Sequence, residues 1–217
     1  MNCVTIIMNV LIFDVDGTLV DSSKGIIKSV KETLNSLSMP DIPEPAIHNM
    51  IGPPIDESIG KYLNLNEENR KQFKHEFRRI YYSKYLYEAQ LYTEIEKILN
   101  ELSKTYILTI ATNKERNNTI RLLSELKVAQ FFRIVEGSAN DRLYLKSEMI
   151  SNILKELNVP PKDAIMIGDS ISDFEAAKKN GVSFIGADYG YGNLSDCIHE
   201  KMAEKPSDFV KLLKVSN

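Results

Sequence analysis

Two cysteines are all that this chain of 217 residues contains, Cys3 and Cys197. They have neither the spacing of metal ligands nor the density of a disulfide scaffold, so a reducing cytoplasm is the expected location and both read as small apolar residues. Neither sign of charge dominates. Thirty acidic against 27 basic side chains leave a formal net charge of −3, with no basic block and no aromatic-basic interleaving, so no nucleic-acid partner is expected. No apolar run reaches membrane-spanning length: the stretch from Met1 to Phe13 lacks a basic leader and stops at Asp14, which predicts neither a signal peptide nor a membrane anchor. Because Met8-Asn9 leads straight into the apolar run, translation could also begin at Met8. Internal repeats and low-complexity tracts are missing too.

What is present is a composition able to bury a core, 43% hydrophobic and 26% charged, which excludes disorder. The length exceeds a typical single domain and falls short of two large ones, so one core domain carrying a smaller insertion is expected. A short, β-branched run from about Val4 to Phe13 reads as a buried strand. Helical spacing follows over Ser22 to Leu37, with Ser22 or Ser23 as N-cap candidates. Prolines around Met39 to Pro45 and Ile51-Gly52-Pro53-Pro54 break the pattern, which resumes over Ile55 to Leu63 and Glu67 to Tyr87. Residues 21–88 therefore predict an all-helical insertion, its aromatic stripe from Phe73 to Tyr85 serving as its core. After it the rhythm alternates: helix Thr93 to Ser103, strand Thr105 to Ala111, helix Lys114 to Leu126, strand Phe132 to Glu136. Helix Lys146 to Leu157, strand Ala164 to Ile167, helix Ile171 to Asn180 and strand Val182 to Gly186 complete it. Such alternation predicts an α/β fold, a Rossmann-like parallel sheet covered on both faces, formed by 1–20 and 89–217. The part from Tyr189 onward reads as a closing element without chemistry, ending in a short helix near Phe209 to Leu213.

Chemistry concentrates at predicted strand ends. Asp14 and Asp16 follow the first strand two residues apart and would share a face; like charges so close call for a hard cation with oxygen ligands, for which Mg²⁺ is the simplest choice. Gly17-Thr18 lets the backbone turn and offers an N–H and a hydroxyl to an anion. Thr112-Asn113 ends another apolar run with a helix behind it, which suits either a helix cap or an anion site. Gly168-Asp169-Ser170 ends a third, with Asp173 four residues on from Asp169 at a helix start.

The segment from Leu11 to Val20 resembles the first motif of the haloacid dehalogenase (HAD) superfamily, whose phosphohydrolase branch reads Asp-x-Asp-Gly-Thr after a buried strand. Gly168 to Asp173 resembles the fourth motif, and Thr112 the second. Lys146 matches the third without its usual proline, Ser147 standing there instead; Arg142 is the nearest competing cation. The resemblance implies a phosphatase of phosphoglycolate-phosphatase-like type with a helical C1 cap over the core. Asp14 would be the nucleophile that forms an aspartyl-phosphate, and Asp16 the acid/base that protonates the leaving oxygen and then activates water. Asp14, Asp16 and Asp169 would hold Mg²⁺, with Asp173 as a further or supporting ligand; Thr112 and Lys146 would grip phosphoryl oxygens, with Gly17, Thr18 and Asn113 beside them. Gly52 would lie in the loop that selects substrate, while His48, Lys61 and Arg78 read chiefly as surface residues. Where such relatives commonly carry a Pro-Gly turn, this chain has Leu91-Tyr92-Thr93-Glu94.

The expected substrate is a small phosphorylated metabolite, since a bulky cap obstructs macromolecules, and the expected state is a monomer or homodimer without membrane partners. A β-phosphoglucomutase-like, pyrophosphatase or nucleotidase activity would use the same motifs. Asp16 and the implied metal count against a hydrolytic dehalogenase, and the full carboxylate set against a catalytically silent binding module.

Overall fold

The computed structural model describes residues 9–138, 145–197 and 200–214. A six-stranded sheet runs in the order β5-β4-β1-β6-β7-β8, every pairing parallel. Its strands are β1 (Val10–Phe13), β4 (Ile107–Glu115), β5 (Phe132–Ser138), β6 (Ala164–Gly168), β7 (Ser183–Ala187) and β8 (Lys201–Ala203). The first strand lies in the middle because its four residues are wholly apolar and fully buried, so both faces can be covered. Leu11 and Phe13 point into one core with α5 (Ile95–Leu102), α6 (Arg116–Glu125) and α9 (Asp208–Lys214). Val10 and Ile12 point into the other, with α7 (Lys146–Leu157) and α8 (Ile171–Asn180). Successive strands β4 and β5 extend the sheet to one side of β1, and β6 to β8 to the other. Strand order thus reverses at β1, and a crevice opens at the carboxyl ends of β1, β4 and β6.

Between β1 and β4 the chain forms α1 (Ser23–Ser36), α2 (Glu44–His48), α3 (Ile55–Tyr62) and α4 (Glu67–Ile80). α1 buries Ile26, Val30 and Leu34, and α4 buries Phe73, Phe77 and Ile80, each at helical spacing. The rings of Phe73, Phe77 and Tyr81 stack in series at 6.2 and 5.6 Å, so the aromatic stripe does form apolar interior. Where this segment leaves and rejoins the sheet stands a two-stranded antiparallel ribbon, β2 (Val20–Asp21) with β3 (Gln90–Leu91). Two residues per strand are too few for periodicity to reveal.

Two helix expectations change. The helix predicted through Tyr87 stays α-helical only to Ile80, then widens to a π turn over Tyr81–Tyr85 and tightens to a 3₁₀ turn over Leu86–Glu88. Ser83 Oγ donates to the carbonyls of Arg79 and Ile80, competing with the backbone ladder, and the wider turn carries Tyr81 and Tyr82 toward the end of β4. β4 itself runs past Ala111 to Glu115, and α6 starts only at Arg116. The Glu115 carboxylate accepts from the amides of Asn117 and Asn118, so Glu115, not Thr112 or Asn113, caps that helix. At the chain start β1 is seen from Val10, the earlier part of the predicted strand lying outside the described residues. No helix among the described residues is long and apolar enough to cross a membrane.

Candidate active site

Apolar strands end abruptly in acids at this crevice, which buries carboxylates that water would otherwise solvate. Asp14, directly after β1, is anchored by its amide donating to the Ile167 carbonyl at 2.9 Å. Its side chain is 4% exposed; Oδ2 lies 3.2 Å from Lys146 Nζ, while Oδ1 is buried without a hydrogen-bond partner. Burial pushes this carboxyl up to about 6; Lys146 opposes the rise, and Asp173 and Asp16 add to it. Asp169, at the end of β6, accepts from the amides of Tyr191 and Gly192 at 2.9 and 3.2 Å, yet burial and then the charges of Asp173 and Asp14 carry it up to about 7.

Asp173 is held by Ser170, whose amide and hydroxyl both donate to Oδ2, at 3.0 and 2.6 Å, while Lys146 Nζ bonds Oδ1. Burial alone would discharge Lys146, but Asp14 and Asp173 outweigh it and hold the ammonium above the ordinary lysine range. One oxygen from each of Asp14, Asp169 and Asp173 lies within 4.8 Å of the others, a set able to hold a metal ion. Arg142, the competing cation, lies outside the described residues.

Asp16 departs from expectation. Its carboxylate does not belong to that cluster; it accepts from Ser22 Oγ at 2.7 Å and, through both oxygens at 2.9 Å, from the ammonium of Lys114. The strand ends at Phe13 and a turn closed on the Val15 carbonyl by the amides of Thr18, Leu19 and Val20 follows, so strand alternation no longer aims the two acids alike. Lys114 is a residue of the site that sequence reasoning misses. Read from sequence as the first residue of a helix, it is instead buried near the end of β4 and also donates to the Tyr81 hydroxyl at 2.9 Å. A lysine immediately after the Thr112-Asn113 pair at the predicted strand end was the available signal.

Asp14 and Asp16 meet at a cavity of about 110 Å³. Its core side is lined by Thr112, Asn113, Lys114 and Ser138, and its helical side by Ile51 to Ile55, Phe77, Arg78 and Tyr81. Gly52 therefore faces the site, with φ +118°, and Arg78 does as well, whereas Lys61 is exposed and His48 packs edge-on against Tyr191. Ser138 Oγ, at the end of β5, is buried without a partner and is available to an occupant. Gly17 and Thr18 do not line the cavity. Thr18 points its hydroxyl at Asp169 Oδ1, 3.5 Å away, and Gly17 sits at φ +83° where a Cβ would lie 2.1 Å from Asp169 Oδ2. Both serve to pack Asp169.

The stretch from Tyr189 onward is likewise more than a closing element, because the Tyr191-Gly192 amides hold Asp169. Nothing in its local pattern says so, since the contact spans 22 residues.

The family profile described as haloacid dehalogenase-like hydrolase matches residues 11–187. The chain is 30% identical over 210 residues to a phosphoglycolate phosphatase of Aquifex aeolicus, covering 95% of this chain and 97% of that one. It is 28% identical to a 5'-nucleotidase of Pseudomonas aeruginosa, over 84% of each chain. Among solved structures, one described as a predicted phosphatase from Clostridium acetobutylicum superposes with a TM-score of 0.89 at 32% identity, over 95% of this chain and 99% of that one.

Proposed function

The chain belongs to the haloacid dehalogenase-like hydrolases, and we propose from that premise that it is a Mg²⁺-dependent phosphatase hydrolysing a small phosphomonoester through an aspartyl-phosphate. The observation that carries the reading is a buried carboxylate, Asp14, flanked by the ammonium of Lys146 on one side and by the cavity on the other. The donor set fits a hard divalent cation: three converging carboxylates, one with an orphaned buried oxygen, and a single lysine too few to neutralise them. Asp14, Asp169 and Asp173 would hold it, and it would supply neutralisation of the phosphoryl oxygens.

In the first half-reaction an Asp14 oxygen attacks phosphorus, forming the acyl phosphate as the bond to the leaving oxygen breaks, and Asp16 gives that oxygen its proton. In the second, Asp16 takes a proton from a water that attacks phosphorus; the Asp14–phosphorus bond breaks, phosphate leaves and both carboxyl groups return to their starting states. Lys146 stabilises Asp14 as an anion before attack, and Thr112 and Asn113 bind equatorial oxygens from the mouth of β4. The helical segment, acting as a cap, excludes bulk water.

The test is phosphate release across small phosphorylated metabolites, with Mg²⁺ and with chelator, for the wild type and Asp14→Asn. Turnover should need Mg²⁺ and vanish in the near-isosteric variant, and rapid quenching should trap a phosphate adduct on the Asp14 peptide. Full activity in Asp14→Asn would overturn the mechanism.

A further inference from the structure

We infer that Tyr191 is a positioning residue that ties the carboxylate of Asp169 to the point where the helical cap leaves the core, an inference that rests on the phosphatase reading above. A helix N-terminus leaves its first amides unpaired, and a serine just before the helix normally caps them with its own hydroxyl. Ser22 occupies that position before α1 but makes no such bond, its hydroxyl being committed to Asp16 at 2.7 Å. Other acceptors meet the chain there: the Tyr191 phenol oxygen, 169 residues downstream, lies 2.6 Å from the Ser22 amide and 3.1 Å from that of Ser23, which also donates to Asp21 Oδ1 at 3.0 Å, and the phenol itself donates to that same Asp21 oxygen at 2.7 Å.

The same residue's backbone N–H donates to Asp169 Oδ2 at 2.9 Å. Its ring is wedged between: a Cβ on Gly17 would come within 2.9 Å of Tyr191 Cδ2, and the His48 ring of the cap meets the Tyr191 ring edge-on at 5.4 Å. Tyr189 braces the return crossing, its hydroxyl donating to the Thr18 carbonyl at 2.6 Å and its ring packing at 4.9 Å on Tyr92, just after β3. An aromatic ring has few torsions to absorb a displacement. A shift of the crossing at Asp21 to Ser23 is therefore transmitted to the amide that orients Asp169, and the cap is held in register with the reacting centre.

Tyr191→Phe removes only the hydroxyl and keeps the ring and the amide. In the full-length, Mg²⁺-loaded protein, hydrogen–deuterium exchange should quicken at the Ser22 and Ser23 amides, while calorimetric Mg²⁺ affinity stays within ~2-fold because the Asp169 contact is a backbone one. With phosphoglycolate, or whichever small phosphomonoester ranks first in the screen, kcat/KM should fall at least ~5-fold further than with p-nitrophenyl phosphate, since misplacement costs most where the leaving group meets the cap. Asp21→Ala, at an exposed position, removes the hydroxyl's acceptor together with Asp21's own bonds to the Ser23 amide and hydroxyl, so its readout is the Ser22 amide, where exchange should quicken in the same direction; there, combined with Tyr191→Phe, it should add little, as coupled residues do. Unchanged exchange at Ser22 and Ser23, fully additive losses, or equal losses on both substrates together with weakened Mg²⁺ binding would each overturn the assignment. Should Tyr191→Phe not fold, exchange at the Ser22 amide in Asp21→Ala decides alone, because that amide bonds the phenol and Asp21 accepts from Ser23 instead. Exchange and calorimetry do not depend on turnover, so an inactive wild type would refute the phosphatase reading without being mistaken for failure here.

Discussion

The ammonium of Lys114 lies 2.9 Å from each carboxylate oxygen of Asp16 and 2.9 Å from the Tyr81 hydroxyl, so a core strand, an acidic turn and the helical segment between β1 and β4 meet at one cation. Burial works against that charge, but Asp16 and Tyr81 outweigh it and hold Lys114 above the ordinary lysine range. Lys114→Met should leave Asp16 with only the Ser22 hydroxyl to orient it and lower kcat/KM by roughly 10²-fold, the scale of a misplaced acid/base. Tyr81→Phe, which loses one hydrogen bond, should cost about 1 kcal/mol in stability. Steady-state kinetics and thermal melts of both variants decide; wild-type turnover in Lys114→Met would show that Asp16 works without the lysine.

Metal binding should compete with protons. The Asp14 and Asp169 carboxyls, pushed up to about 6 and about 7 by burial first and by like charges next, hold protons in the metal-free fold where unfolded carboxyls near 3.8 have lost theirs. With more protons on the folded state in that window, metal-free stability falls as pH rises through it. Added Mg²⁺ should therefore raise Tm fully near about pH 8 and much less near about pH 5, where its ligands are protonated. Asp169→Asn should shrink the rise at every pH. A Mg²⁺ shift of equal size at both ends of the range would contradict the site.

Gly52 adopts φ +118°, which an L side chain rarely takes, although a Cβ there would meet only Ser170 Cβ at an ordinary 3.9 Å. Strain rather than collision is the expected effect of Gly52→Val, at about 1–2 kcal/mol for a left-handed backbone forced on a β-branched residue. Because the loop from Ile51 to Pro54 lines the cavity, kcat/KM should fall more for the preferred metabolite than for p-nitrophenyl phosphate. Kinetics on both substrates, with folding checked by circular dichroism, test this. Equal losses would place substrate selection elsewhere in the cap.

Glu94 stands in the stretch where relatives commonly carry a Pro-Gly turn, and it sits at φ +69° just before α5. Its ion pair with Lys97, 3.9 Å long and largely exposed, gives little in return. Glu94→Gly should relieve the left-handed strain and, after the entropy cost of glycine, stabilise the fold by up to about 1 kcal/mol. Thermal melts would register this as a higher Tm without a change in kinetics, and a lower Tm would refute it.

Local physics determines the sheet's central strands and the helices behind them. β1 and β6 are apolar runs stopped by acids, and α7 and α8 begin and end where periodicity, the Ser170 start and Gly181 at φ +67° place them. The acids Asp14, Asp169 and Asp173 are legible for the same reason, since each lies at a strand end or a helix start. Tertiary structure alone decides what those acids touch. Lys114 reaches Asp16 across 98 residues, Tyr191 reaches Ser22 across 169, and Ser138 loses its partners only because β5 buries it beside the cavity. Whether a lysine is solvated or buried on a carboxylate, and whether a serine hydroxyl caps its own helix or turns to an acid, depends on which groups folding brings to the same few ångströms. The energy lies in desolvation and pairing between segments that the linear order keeps far apart.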